Sequence, residues 1–123
     1  MNYLTKQETF TKVATHLLKQ NAKSFIQENA KDGDACAYRG VNNTMCAAGC
    51  LITDKIYSPK METKTVLHNT VSSRLKKSGI DMEKHSQLVM DFQYLHDMEP
   101  VTKWYNGLII IAQQYGLEMP PKI

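Results

Sequence analysis

Apolar residues recur every three or four positions along four stretches of the chain, a spacing that places them on one face of a helix. The first stretch follows Thr5-Lys6-Gln7-Glu8, a capping box in which the threonine and glutamate side chains each bond a backbone N–H left free at the helix start. Phe10, Val13 and Leu17 then share one face, which predicts a helix over residues 6–20. This periodicity commits the chain to a mainly helical fold.

The other three helical stretches lie in the second half of the chain. Asn69 or Thr70 can cap a helix that closes at Gly79, and Asp81 can cap the next one. Glu99-Pro100 favours the start of a last helix, because proline is well tolerated in the first turn. The connection between the last two helices is short, so we expect them to form an antiparallel pair.

The segment between the first two helices has the pattern of a β-hairpin. Lys31-Asp32-Gly33-Asp34 carries turn chemistry, and residues 35–40 form a short stretch bounded by turn residues, which suggests a strand. Asn42-Asn43 can adopt positive φ at a hairpin turn, with Thr44-Met45 as the returning strand. We therefore predict an α+β fold, a bundle of four to five helices with one β-hairpin inserted after the first helix.

Composition narrows the class of protein. The chain has 123 residues, 42% of them hydrophobic, which fits one globular domain over residues 1–123. Its longest apolar run, residues 107–112, is far shorter than the ~20 residues of a membrane span. The first six residues lack the layout of a signal peptide, so we expect a cytoplasmic protein without a membrane partner. The net charge of +3 comes mainly from scattered lysines, which is not typical of a nucleic-acid reader.

All three cysteines lie in two short segments, Cys36-Ala37-Tyr38-Arg39-Gly40 and Cys46-Ala47-Ala48-Gly49-Cys50. A metal site would combine Cys36, Cys46 and Cys50 with one histidine. The candidates for that fourth ligand are His68, His85 and His96. Structural zinc prefers closely paired cysteines, whereas these are separated by nine and three residues, so we expect no metal or other cofactor. A Cys36–Cys46 disulfide fits a hairpin, but a reducing cytoplasm disfavours it.

Two further interpretations of the cysteines stay open. In a catalytic one, Cys46 lies at a helix N-terminus that lowers its pKa, with His96 as base and Asp97 as the residue that orients the histidine. Adjacent side chains on a helix point in different directions, so Asp97 need not reach His96, which can instead cap its own helix. In a structural interpretation the cysteines are small buried hydrophobes, the simplest account of Cys50.

Arg39 suggests a binding site. It lies between Tyr38 and Gly40, where a planar guanidinium beside an aromatic ring suits a carboxylate, a phosphate or the acidic patch of a protein. The alternative is a salt bridge that ties the segment to the rest of the fold, through Asp54, Asp97 or Glu99. The residues predicted to bind are Tyr38 and Arg39, with a neighbouring surface formed by His96, Asp97 and Trp104.

The two cysteine segments continue through Leu51-Ile52-Thr53-Asp54 and form a C-x-Y-R-G…C-A-x-G-C-L-I-x-D motif. Together with the capping box at residues 5–8, and with Gln93, Leu95-His96-Asp97 and Trp104, this motif resembles a group of small proteins encoded by tailed phages and prophages. The resemblance supplies a setting and no activity. It implies an accessory phage product of the kind that blocks a host or defence protein or sequesters a signalling nucleotide.

The sequence thus favours a phage-encoded accessory protein that acts by binding a host protein or an anionic small molecule, and not an enzyme. The first alternative is a cysteine-dependent hydrolase or transferase that uses Cys46 and His96, and the second is a nucleic-acid-binding protein. Under the binding hypothesis, Arg39→Ala abolishes binding and leaves the melting temperature nearly unchanged. A large loss of stability would instead mark Arg39 as a structural residue.

Overall fold

The computed structural model describes residues 2–31 and 36–121. It contains four α-helices: α1 (Lys6–Gln20), α2 (Asn69–Lys77), α3 (Met82–Met98) and α4 (Trp104–Tyr115). Short 3-10 turns lie between α1 and α2 and between α3 and α4, and no β-strand forms within the described ranges. The prediction of a small, mostly helical protein is therefore confirmed, and that of a β-hairpin is wrong.

Local capping sets the ends of α1. The Thr5 hydroxyl accepts a hydrogen bond from the Glu8 N–H, and the Glu8 carboxylate accepts one from the Thr5 N–H, so the predicted capping box is present. The helix ends at Asn21, which adopts a left-handed conformation and donates its N–H to the Leu17 carbonyl. The predicted bounds are thus confirmed, and both ends depend on neighbours in sequence.

Capping also fixes most ends of the later helices. Asp81 caps α3 as predicted, whereas α2 is capped by the His68 ring, whose Nδ1 accepts a hydrogen bond from the Thr70 N–H at 3.1 Å. The predicted start of the last helix at Pro100 is too early, because a 3-10 turn precedes α4. The Leu95 side chain of α3 packs against Gly107 of α4, where a Cβ would collide with it.

The segment predicted to form the hairpin contains a turn, but its two arms do not form a β-ladder with each other. Asn42 and Asn43 adopt positive φ (58° and 60°) as expected, and the Gly40 N–H bonds the Thr44 carbonyl at 2.8 Å across the turn. Cys36 pairs instead with Phe25 in a single antiparallel bridge. The turn predicted at residues 31–34 and the strand start at Ala35 fall largely on residues 32–35, outside the described residues.

The returning strand does not form because side chains of α1 bond the backbone of this segment. Gln20 accepts a hydrogen bond from the Met45 N–H at 3.0 Å, and the His16 ring bonds the Met45 carbonyl at 2.9 Å. Both backbone groups of Met45 are thus used by side chains of a helix. They are no longer available to a strand ladder, so the segment lies along α1.

The core lies between all four helices and residues 46–52, which we call the central segment. The rings of Phe10 on α1 and Phe92 on α3 meet with their centroids 5.7 Å apart. Residues 46–52 are buried throughout, and a Cβ at Gly49 would collide with the Tyr38 backbone carbonyl, so this glycine permits the close approach of two loop segments. No helix in the described part of the chain is long and apolar enough to span a membrane.

Candidate functional site

His96 lies in the last turn of α3 and is fully buried. Its Nε2 accepts a hydrogen bond from the Ser24 backbone N–H at 3.0 Å, and its Nδ1 lies 2.8 Å from Oδ1 of Asp97. A backbone N–H can only donate, so Nε2 carries no proton and the ring proton sits on Nδ1, facing Asp97. The ring also packs against Trp104, with centroids 5.4 Å apart. Both ring nitrogens are therefore used inside the protein.

Asp97 is the acidic group of this network. Its Oδ1 accepts hydrogen bonds from His96 and from Nε2 of Gln93 at 2.9 Å, and the Cys36 side chain also hydrogen-bonds the carboxylate. Burial raises the pKa of Asp97, but the hydrogen bonds outweigh it and hold the pKa below its usual 3.8. Asp97 is consequently ionised at neutral pH. The adjacent His96 and Asp97, which helix geometry suggested would point apart, are in direct contact.

A cleft of about 460 Å³ opens beside this carboxylate, and we call it the Asp97 cleft. It is lined by Cys36, Ala37, Tyr38, Cys46, Thr63, Lys64, Thr65, Val66, Met90, Gln93, Tyr94 and Asp97. The Asp97 side chain keeps 34% of its surface exposed, and no lysine or arginine of the described residues forms an ion pair with it. The cleft thus presents an ionised carboxylate beside mainly apolar walls.

Sequence reasoning missed two members of this network. Gln93 is one helical turn before Asp97, and its Oε1 accepts a hydrogen bond from the Ala48 N–H at 3.0 Å, so it joins α3 to the central segment. The (i, i+4) pairing of an amide and a carboxylate on one helix was the available signal. Ser24 takes part through its backbone alone, and no side-chain pattern could have indicated it.

The cysteines do not assemble as a metal site. Cys36 joins His96 and Asp97 in a group whose potential ligand atoms lie within 4.8 Å of one another. Cys46 accepts a hydrogen bond from the Gly49 N–H, and Cys50 donates one to the Ala47 carbonyl. The group at Cys36 does not suit a metal either, because the Nδ1 lone pair of His96 is replaced by a proton and Nε2 is occupied by Ser24.

Cys46 lies in surroundings that suppress its reactivity. It is almost fully buried, and burial raises the pKa of its thiol well above the usual value. Burial likewise raises the pKa of Cys50 to about 12. Since the thiolate is the nucleophile and both nitrogens of His96 are occupied, the surroundings of Cys46 and His96 do not favour the chemistry of a cysteine hydrolase.

Thiol labelling separates these environments. We expect iodoacetamide at neutral pH to modify half-buried Cys36 first, with Cys46 and Cys50 labelled only when the chain unfolds. The measurement is mass spectrometry of cysteine peptides over a time course, with the urea-unfolded protein as the control. Rapid labelling of Cys46 in the folded protein at about pH 6, as the hydrolase hypothesis requires, would contradict this expectation.

Arg39 lies outside the Asp97 cleft, and its guanidinium is engaged in the fold. Nη1 donates to the carbonyls of Tyr38 (3.1 Å) and Gly49 (2.7 Å), and Nη2 donates to the Ile52 carbonyl at 2.6 Å. Nη2 also forms the ion pair with Asp54 that was one of the sequence alternatives. The guanidinium carbon lies 4.8 Å from the centroid of the Tyr57 ring. Only 20% of the side chain is exposed, so little of it remains for a ligand.

The two aromatic residues predicted to bind are also internal. Tyr38 is 5% exposed and donates its hydroxyl to the Lys64 carbonyl at 2.6 Å, although one side of it lines the Asp97 cleft. Trp104 is buried against His96 and donates its ring N–H to the Glu99 carbonyl at 3.1 Å. Of the five predicted binding residues, the structure brings Tyr38 and Asp97 to one cleft and uses His96 and Trp104 to support it.

Compared with known proteins, the chain matches no family model, no curated protein and no solved structure. The resemblance to phage proteins and the setting that it implies stay predictions.

Proposed function

We propose that this chain acts by binding and not by catalysis, as a phage-type accessory protein in the host cytoplasm whose binding site is the Asp97 cleft. One observation carries the proposal: an ionised carboxylate, fixed by donors from His96, Gln93 and Cys36, borders the cleft, and no lysine or arginine of the described residues forms an ion pair with it. Carboxylates held in place before binding favour a charged partner, because they lose little freedom when it arrives.

The sign of that charge selects the class of ligand. An anion, which the sequence favoured on account of Arg39, would be repelled by Asp97 and would find the guanidinium already bonded elsewhere. A cation is attracted, and Val66 and Met90 offer apolar surface for the stem of a long side chain. We therefore take the ligand to be a lysine or arginine side chain of a host protein. Lys64 also lines the cleft and forms no ion pair with Asp97.

Small mimics of that side chain test the site directly. We expect N-acetyl-lysine methylamide and its arginine counterpart to shift the NMR signals of Met90, Tyr94 and Asp97, and the glutamate counterpart to leave them unchanged. Asp97→Asn should remove the response, whereas Asp54→Asn, which alters a 94% exposed carboxylate outside the cleft, should retain it. Because the pKa of Asp97 is lowered, binding should stay constant from about pH 5 to about pH 8 and weaken only when the carboxylate protonates.

The same variants identify the partner. We expect one protein of a bacterial lysate to be retained by the wild type and by Asp54→Asn, and lost by Asp97→Asn. Melting temperatures measured alongside separate loss of binding from loss of fold. Equal shifts with the glutamate compound, or a response that survives Asp97→Asn in the folded protein, would contradict the proposal.

A further inference from the structure

Exposed apolar side chains gather on one face of the α3–α4 pair. Tyr94 and Met98 of α3 are each 62% exposed, and Ile110 of α4 is 56% exposed. Single exposed apolar residues are normal on protein surfaces, but a contiguous group on one face marks an interaction site. We call the surface formed by these three residues, with Glu99 and Lys103, the α3–α4 face.

A groove of about 550 Å³ between the two helices forms the centre of this face. It is lined by Asp91, Tyr94, Leu95, Glu99, Lys103, Asn106, Gly107, Ile110, Ile111 and Gln114. Residues 107–112 form a continuous apolar run, which places apolar side chains on more than one side of α4. Leu108 and Ile111 turn inward to the core, and Ile110 turns outward. A helix that is apolar on both sides requires cover on both sides.

The charges of the groove indicate what covers it. Glu99 and Lys103 both line it, and neither side chain is part of an ion pair within the described residues. Asp91, the other charged residue there, is already bonded to the Tyr115 hydroxyl at 2.6 Å and to Gln87 at 3.0 Å. In an interface with two-fold symmetry the same patch meets itself, so a free acid and a free base on one patch can pair with each other across the axis.

We propose that the α3–α4 face is the interface of a homodimer, in which Glu99 of each copy pairs with Lys103 of the other and Tyr94, Met98 and Ile110 are covered. A partner rich in one sign of charge fits this face less well, because one of the two free charges would then be repelled. Tyr94 lines both the groove and the Asp97 cleft, so a second copy packed on Tyr94 would hold one wall of that cleft in place. The proposal does not depend on what the cleft binds.

Sedimentation velocity of the full chain tests the dimer, under reducing conditions so that disulfides cannot join two copies. We expect the wild type to move from monomer to dimer as its concentration rises. Ile110→Glu should weaken the dimer at least about tenfold, because it puts a charge in the apolar centre. Leu67→Glu is the matched control: Leu67 is 55% exposed and does not line the groove, so its dimer should be unchanged.

Charge reversal tests the pairing itself. Glu99→Lys and Lys103→Glu should each weaken the dimer, since each places like charges together, and the double variant should restore it. A wild type that is monomeric at its highest soluble concentration would overturn the proposal, as would a double variant that is weaker than both single ones. If the wild type is monomeric and Ile110→Glu loses a lysate protein, the face belongs to a different partner.

Discussion

Replacing Arg39 by alanine is expected to lower the free energy of unfolding by about 3 kcal/mol. The guanidinium donates to the carbonyls of Gly49 and Ile52 at 2.7 and 2.6 Å, and its removal leaves these two acceptors without their charged donor. The contact with the Tyr57 ring is lost as well. Urea denaturation monitored by circular dichroism measures the change.

The exposed ion pair allows a control for this effect. Asp54 bonds the same guanidinium but is 94% exposed, so Asp54→Ala should change stability by less than about 0.5 kcal/mol. Arg39→Lys should fall between the wild type and Arg39→Ala, since an ammonium keeps the charge but cannot reach several acceptors in the geometry of a planar fork. An Arg39→Ala protein with an unchanged melting temperature would restore the sequence-based view of Arg39 as a ligand-binding residue.

Replacing His96 by alanine is expected to cost about 4 kcal/mol, the largest effect of a single substitution that we predict. The fully buried ring connects the Ser24 backbone to Asp97 and packs against Trp104. Its loss opens a cavity, leaves the Ser24 N–H unsatisfied and removes one donor from the carboxylate. Denaturation in urea at neutral pH gives the value.

Two further variants divide this cost between packing and hydrogen bonding. His96→Phe retains a ring against Trp104 but forms neither hydrogen bond, so we expect a loss of about 2 kcal/mol. His85→Ala truncates a half-buried histidine of the same helix that is not part of the network, and should cost clearly less. A His96→Ala protein as stable as His85→Ala would mean that the network does not hold the fold together.

In the proposed site, His96 and Gln93 have a supporting role: they hold Asp97 in place, and neither leaves a free group for chemistry. Their replacement should therefore weaken binding only through the orientation of Asp97 or through the fold. Asp97 is the one member of the network that combines a fixed position with an exposed charge.

The sequence could predict those features whose causes lie within a few residues. The start of α1 follows from Thr5 and Glu8, and the cap of α3 follows from Asp81, because each bonds a backbone group three residues away. The end of α4 has the same local origin: Gly116 adopts a left-handed conformation, and the Leu117 N–H bonds the Ala112 carbonyl. The buried stripes of the helices likewise follow from periodicity.

The hairpin prediction was wrong because a turn depends on local residues, whereas strand pairing depends on segments that are distant in sequence. Positive φ at Asn42 and Asn43 is a property of those residues, and it was predicted correctly. Strand pairing depends on which partner is nearest in space. Here Cys36 pairs with Phe25, and the backbone of Met45 is bonded to the side chains of Gln20 and His16. Such competition between distant segments leaves no trace in local composition.

The candidate site was predicted by residue type and decided by tertiary contact. Sequence alone singled out Asp97, His96, the cysteines and Arg39 as the chemically unusual residues of this chain. Packing then brought the potential ligand atoms of Cys36, His96 and Asp97 within 4.8 Å of one another, and bonded the Arg39 guanidinium to carbonyls that lie 10 and 13 residues further along the chain. Local sequence thus determined where helices begin and end, because caps act over one turn. Only the folded structure decided which polar groups are satisfied internally and which remain free for a partner, because burial depends on segments far apart in the chain.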